Sequence, residues 1–230
     1  MDLLPPRLST YAADIDNLIF LVGAIVGFWF VLTFGVLIYL VFKFRARPGE
    51  KALYIEGTEK RYTKPISWAH TLVLLCDVLV IVAAIRVWVT VKQDLPEADA
   101  TVRVISQQWT WSFQHPGPDG ELDTPDDIFT TDELHVEVGK VYHYKLVSRD
   151  VLHDFSVPVF RLKQDAIPGR EITGWFEATD TGEHDIQCAE MCGIGHGIMA
   201  ARIFLESPAD HQAWIAKQQQ KQAALVAVSG

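Results

Sequence analysis

Residues 188–199 read "CAEMCGIGHGIM": two cysteines four apart, a histidine four residues beyond the second, and a methionine three beyond that. Cys188, Cys192, His196 and Met199 thus offer thiolate, imidazole and thioether donors, a mixture that selects soft transition metals and copper above all. Gly193, Gly195 and Gly197 let the backbone between them fold tightly around an ion. One more imidazole stands upstream, His153 in "DVLHDFSVP" (150–158). A mononuclear copper site uses one thiolate, one or two histidines and a weak methionine. The second cysteine exceeds that need, and two sulfurs with one histidine beyond them and one upstream can bridge two copper ions. Metals held so closely share one electron, so their geometry changes little on reduction. The same residues admit two other readings: a disulfide in an oxidising compartment, or structural zinc held with His153 and His196. Met199 alone would read as core filling. Cys76, in an apolar run far from the others, reads as an inert small hydrophobe.

Outward from this loop the sequence alternates as half-buried strands do. "TVRVISQQWTWSFQ" (101–114), "ELHVEV" (133–138), "VYHYKLVS" (141–148), "ITGWFEA" (172–178), "EHDIQC" (183–188) and "MAARIFLE" (199–206) are the strand candidates. Turn signals separate them: "HPGPDGELDTPDD", "VGK", "IPGR", "DTG" and "GIGHG". Short strands at this spacing predict a β-sandwich or a small Greek-key barrel. "SPADHQAWIAKQQQKQAAL" (207–225) has a Ser/Asp start and helical spacing, and predicts a closing helix fraying into a tail. His70, His115, His135, His143, His184 and His211 show no ligand spacing and read as surface or strand residues. The acidic loop 118–127 lacks the spacing of a calcium loop and reads as solvated.

The N-terminal part has another character. Leu18 to Phe42 is a run of 25 residues without a charge, and a helix needs about 20 such residues to cross a bilayer. Pro65 to Ile85 is a second apolar run, broken only by His70 and Asp77. Membrane helices are therefore expected over roughly 18–44 and 65–92, with "KQDLPEADA" (92–100) as a polar linker. This gives two parts: 1–94, a tail and a transmembrane hairpin, and 95–230, an exported β-domain with its closing helix. The loop between the helices holds Lys43, Arg45, Arg47, Lys51, Lys60, Arg61 and Lys64, so it is expected in the cytoplasm, with both termini outside. The first residues lack the basic region, short apolar core and small-residue cleavage site of a signal peptide, so insertion is expected to rely on the two helices. Asp77 costs about 2.5–3.5 kcal/mol in a bilayer on insertion scales, and is expected to contact a partner subunit. The net charge is −9, and residues 95–230 carry 21 acidic against 10 basic side chains. That excess argues against nucleic acid as a partner and is compatible with a basic protein partner or with simple solubility.

"VLHDFSVPVFRLKQDAIPGR" (151–170) together with "QCAEMCGIGHGIM" (187–199) resembles subunit II of cytochrome c oxidases with its binuclear copper A centre. The resemblance runs over nearly the whole chain: two helices, the aromatic strand "QQWTWSF" (107–113) and the metal loop. It implies two transmembrane helices followed by a cupredoxin-like Greek-key β-barrel. It also implies that Cys188 and Cys192 are bridging thiolates, with His153 and His196 as terminal ligands, one to each of two coppers. Met199 would be a weak ligand of one copper, and the Glu190 backbone carbonyl would touch the other. The Glu190 carboxylate would reach a magnesium or manganese ion shared with subunit I. Trp109 resembles the exposed aromatic at which electrons arrive from cytochrome c, although Thr110 stands where the family commonly has an aromatic. Trp111 and Phe113 read as core. The family's Trp-Thr-x-x-Pro pattern near a proton channel is absent from "EGTEKRYTKPISWAHTLV" (56–73), and no role is carried onto Glu56 or Glu59. The implied function is to accept electrons from cytochrome c and pass them to haem in subunit I, where oxygen is reduced to water and protons are pumped. Subunit I with its haem and copper, and subunit III, would be partners, in a bacterial inner membrane with the copper domain in the periplasm. The same module could serve a nitric oxide reductase of the same superfamily, because the acceptor chemistry lies in another subunit.

Overall fold

The computed structural model of the chain describes residues 4–51 and 54–229, with side chains to residue 224. It divides into two units, Asp14–Val89 and Met1–Ala13 with Thr90–Gly230.

The first unit is the helical one. Helix α1 covers Ala12–Lys43 and α2 covers Lys60–Trp88, continuing as a π-helical turn over Val89–Gln93. Both are long and apolar enough to cross a membrane. At about 1.5 Å per residue they exceed a hydrocarbon core of about 30 Å. α1 starts earlier than its apolar run because Asp14 in its first turn complements the helix dipole. α2 also starts earlier, at Lys60, so that Pro65 lies inside it; Tyr62 and Thr63 N–H donate to the Glu59 carbonyl to open the first turn. Cys76 and Asp77 line a groove of about 520 Å³ whose other wall is α1, chiefly Trp29, Phe30 and Thr33.

The second unit is a two-sheet β-domain. Its strands are β1 (Ala100–Gln107), β2 (Thr110–His115), β3 (Ile128–Thr131), β4 (Glu133–Glu137), β5 (Val141–Ser148), β6 (His153–Val157), β7 (Leu162–Ala166), β8 (Ile172–Glu177), β9 (Gly182–Cys188) and β10 (Ala200–Glu206). One sheet runs β3-β2-β1-β5-β8 and the other β4-β10-β9-β6-β7. Pairings are antiparallel except β1 with β5 and β4 with β10. This is the cupredoxin-like arrangement expected from the sequence. Alternating inward residues form the core: Val102, Val104, Trp111, Phe113, Tyr144 and Phe176 from one sheet, Leu134, Val136, Phe155, Ile186 and Ile203 from the other. Trp111 and Tyr144 meet Phe155 across the sheets at ring-centroid distances of 5.5 and 5.9 Å. Each large apolar side chain so buried contributes roughly 1.5–3 kcal/mol.

Two sequence expectations change. The stretch 101–114 is a hairpin rather than one strand, because Gln108 N–H turns away from the ladder to the Asp150 carboxylate at 2.7 Å. β3, β6 and β7 add to the strand candidates; in β6 polar Asp154 and Ser156 alternate with Phe155 and Val157, and all five residues are buried. Residues 5–11 also pack on this unit. Ser9 bridges Ala178, and Arg161 donates to the Pro5 and Pro6 carbonyls at 2.7 and 3.2 Å.

Helix α3 (Pro208–Ser229) closes the domain, seated on a cluster of rings. Glu206 accepts from His135 Nδ1 and His211 Nδ1, each at 2.8 Å. Trp214 stacks on His135 at 4.3 Å and meets His115 edge-on at 4.9 Å. His115 and His135 are strand residues, one of the two readings of their sequence, and His211 lies in α3; all three are buried here. Burial first, then His135 and His211, lowers His115 to about 3 against 6.5 in the open chain. The unfolded chain therefore takes up this proton first, and stability is lost as pH falls from 6.5 toward 3. Burial alone would raise the Glu206 carboxyl, but hydrogen bonds from His135 and His211 hold it at about 2 against 4.5. Its contribution is present above pH 4.5 and is lost toward pH 2, the same direction. Between pH 6.5 and about 4 the stability of the β-domain in urea is expected to fall by on the order of 2–3 kcal/mol. His115→Gln should flatten that fall; an unchanged slope in the variant would remove His115 as its source.

Candidate metal centre

Three neighbouring strands of one sheet bring the predicted ligands together. His153 opens β6, Cys188 ends β9, and the loop from Ala189 to Met199 leads into β10. Phe155 of β6 is paired with Cys188, and Cys188 N–H donates to the Met199 carbonyl at 3.1 Å, so both ends of the loop are fastened. Within it, His196 N–H donates to Gly193 O, and Ile198 N–H to Gly195 O, each at 3.1 Å. These turns fold the loop back so that His196 and Met199 face the cysteines.

The two sulfurs lie 3.7 Å apart. His153 Nδ1 stands 3.9 Å from Cys188 Sγ, and His196 Nδ1 stands 3.7 Å from Cys192 Sγ. Met199 Sδ is 3.8 Å from Cys192 Sγ, and the Glu190 carbonyl oxygen is 3.2 Å from Cys188 Sγ. One imidazole nitrogen thus sits beside each sulfur, with the thioether on one side and a backbone carbonyl on the other. His153, Cys188 and Cys192 are buried, with ligand atoms within 4.8 Å of one another. The cysteines are free thiols, well beyond disulfide bonding distance. Burial, reinforced by the neighbouring Cys188, pushes the Cys192 thiol up to about 11. Two thiolates side by side in such a place need cations to hold them, which fits this donor set to soft metal ions.

The Glu190 side chain is half-buried on the side of Asp154. Burial raises the Asp154 carboxyl to about 6, with Asp165 and Glu190 adding to the rise and Lys163 opposing it.

Trp109 lies against the metal loop from the β1–β2 turn. Its Nε1–H donates to the Cys192 carbonyl at 3.2 Å, and Gln108 Nε2 donates to the same oxygen at 2.8 Å. Glycines make this approach possible: a Cβ on Gly195 would stand 2.3 Å from Trp109 Cδ2. Trp109 stays 37% exposed, so one edge meets solvent while the ring rests on the loop. Met191, Ile194 and Ile198 of the same loop are exposed apolar side chains.

Sequence reasoning missed two residues of this neighbourhood. Asp150 Oδ1 accepts from His153 Nε2 at 2.8 Å. Burial alone would raise its carboxyl; the Gln108 and Val151 amides and His153 more than offset this and hold it below the ordinary range. Its place three residues before the candidate ligand His153 was the available signal. Gln108 had none, since nothing in the sequence ties it to Cys192.

Comparison with known proteins agrees with the geometry. A profile described as cytochrome C oxidase subunit II, periplasmic domain, matches residues 127–206. An alternative cytochrome c oxidase subunit 2 of Bradyrhizobium diazoefficiens is 33% identical over 92% of this chain and 82% of that protein. The cytochrome c oxidase subunit 2 of Thermostichus vulcanus is 41% identical over 50% of this chain, which spans only 32% of that relative. The crystal structure of the periplasmic domain of subunit II of a Bradyrhizobium japonicum cytochrome oxidase superposes with a TM-score of 0.50 at 30% identity, covering 56% of this chain and 99% of that one. Fold, paired sulfurs and similarity over most of the chain agree: this chain is a membrane-anchored member of the cytochrome c oxidase subunit II family, a component of cytochrome oxidase complexes.

Proposed function

We propose that Cys188 and Cys192, with His153, His196, Met199 and the Glu190 carbonyl, hold two copper ions. The single observation that carries this is the pair of sulfurs 3.7 Å apart with one imidazole Nδ1 beside each. When bound, such a pair supplies a site that takes and gives one electron at a time with little rearrangement. The protein's part is to keep the donors buried and fixed between three strands, and to lay Trp109 on the loop where a donor protein can reach its edge. Cytochrome c is the proposed donor and haem in subunit I the proposed acceptor, within a complex that reduces oxygen and pumps protons. Subunit III is a further proposed partner. Copper analysis with electron spin resonance of the oxidised full-length chain tests the reading. Two coppers per chain, with the spin spread equally over both nuclei, are expected. One copper with a single-nucleus pattern would replace the reading with a mononuclear site.

Glu190 is proposed to act twice, through its backbone carbonyl at copper and through its carboxylate at a magnesium or manganese ion shared with subunit I, hard cations that prefer oxygen ligands. Glu190→Gln leaves the carbonyl unchanged. It is expected to keep both coppers while the hard-metal site of the complex loses occupancy. Loss of copper from that variant would contradict the division. Asp77, an acid among apolar side chains, is proposed to face subunit I. Both termini and the copper domain are proposed to lie on the periplasmic side.

A further inference from the structure

We propose that Asp150 is a positioning residue whose single carboxylate ties the copper ligand His153 to the turn that carries Trp109. This rests on the two-copper reading above. Oδ1 accepts from His153 Nε2 at 2.8 Å, and Oδ2 accepts from Gln108 N–H at 2.7 Å. Val151 N–H donates to Oδ1 at 2.6 Å, which fixes the carboxylate plane.

Each bond has a separate consequence. A carboxylate against Nε2 places the imidazole proton there and leaves the lone pair on Nδ1, the atom that faces Cys188 Sγ at 3.9 Å. It also makes the ring a stronger donor, which favours the more positive, oxidised state of any metal it holds. On the other side, the bond to Gln108 N–H holds the turn from which Gln108 Nε2 and Trp109 Nε1 reach the Cys192 carbonyl at 2.8 and 3.2 Å. One side chain therefore sets a ligand on the buried face of the centre and the aromatic on its solvent face. Asparagine has nearly the same volume, but it lacks the charge and presents one oxygen and one N–H₂ group to these donors. It can serve His153 or Gln108, not both.

The test uses the full-length chain in detergent, loaded with copper, as wild type, Asp150→Asn and Asp150→Glu, with no cytochrome present. Two coppers in the wild type are required first; their absence would strike the underlying reading and not the role of Asp150. In Asp150→Asn, copper affinity is expected to fall about 10–100-fold. The reduction potential should move upward, and the nitrogen hyperfine coupling of one of the two histidines should change. Asp150→Glu restores the charge and should recover the potential at least in part, which separates the effect from misfolding. The proposal is overturned if Asp150→Asn keeps the wild-type potential and hyperfine coupling and only slows reduction when cytochrome c is added. Asp150 would then be a surface charge for docking.

Discussion

Cys192→Ser is expected to abolish the proposed two-copper centre completely. The substituted oxygen would occupy the place of a sulfur that stands 3.7 Å from Cys188 Sγ, 3.7 Å from His196 Nδ1 and 3.8 Å from Met199 Sδ. A hydroxyl is a hard, weakly acidic donor and cannot replace a soft bridging thiolate. What remains, Cys188 with two imidazoles and a thioether, is a donor set for one copper. Elemental analysis should therefore fall from two coppers to one or none, and the spin should no longer be shared. The fold should survive, because the loop is held by backbone bonds, Cys188 N–H to Met199 O among them, that do not involve this side chain. Two coppers with an unchanged mixed-valence spectrum in the variant would show that the sulfur of Cys192 does not bridge.

A second large effect is expected at the surface where electrons would arrive. Trp109→Gln should slow reduction by cytochrome c by about tenfold or more, the order of loss that follows when a reacting partner is misplaced. The copper spectrum should be unaltered, since Trp109 meets the loop through the Cys192 carbonyl and the glycine backbone at 193 and 195 and touches none of the proposed ligand side chains. Gly195→Ala reaches the same end from the opposite side. A methyl 2.3 Å from Trp109 Cδ2 and 2.5 Å from Cγ cannot coexist with the ring, so the ring must leave the loop. Stopped-flow reduction of both variants is the deciding measurement. Residues 95–230 carry 21 acidic against 10 basic side chains, enough to steer a basic donor. Beyond about 8 Å that attraction is screened at physiological salt, so the wild-type rate should drop as salt rises. Normal rates in both variants would move the arrival point away from Trp109. A rate indifferent to salt would reduce the acidity to a matter of solubility.

Much of the molecule was legible before folding, where the signal is local. A charge-free run of 25 residues specifies a membrane helix by length alone. The strands β5, β9 and β10 were marked by alternation because one face of each is more covered than the other; β4 and β8 were also read as strands, although buried residues fall on both of their faces. Cys188, Cys192, His196 and Met199 were visible because they fall within twelve residues and the loop chemistry is written in their order. Even His153 stood out, as an imidazole in a motif.

What the sequence could not show arises from residues far apart in the chain. The hairpin at Gln108 forms because Asp150, 42 positions away, takes the amide that a longer strand would have paired. β6 alternates polar Asp154 and Ser156 with apolar Phe155 and Val157, yet all five of its residues are buried, and it is the neighbouring strands that bury them. The histidines at 115, 135 and 211 become a buried cluster only when α3 closes over β2 and β4, bringing Trp214 and Glu206 to them. Asp150 and Gln108 join the candidate metal centre through bonds that cross the domain. Periodicity and spacing record what neighbours along the chain do together. Burial, charge pairing and the seating of one ring on a distant glycine depend on which strand ends meet, and only the tertiary structure decides that.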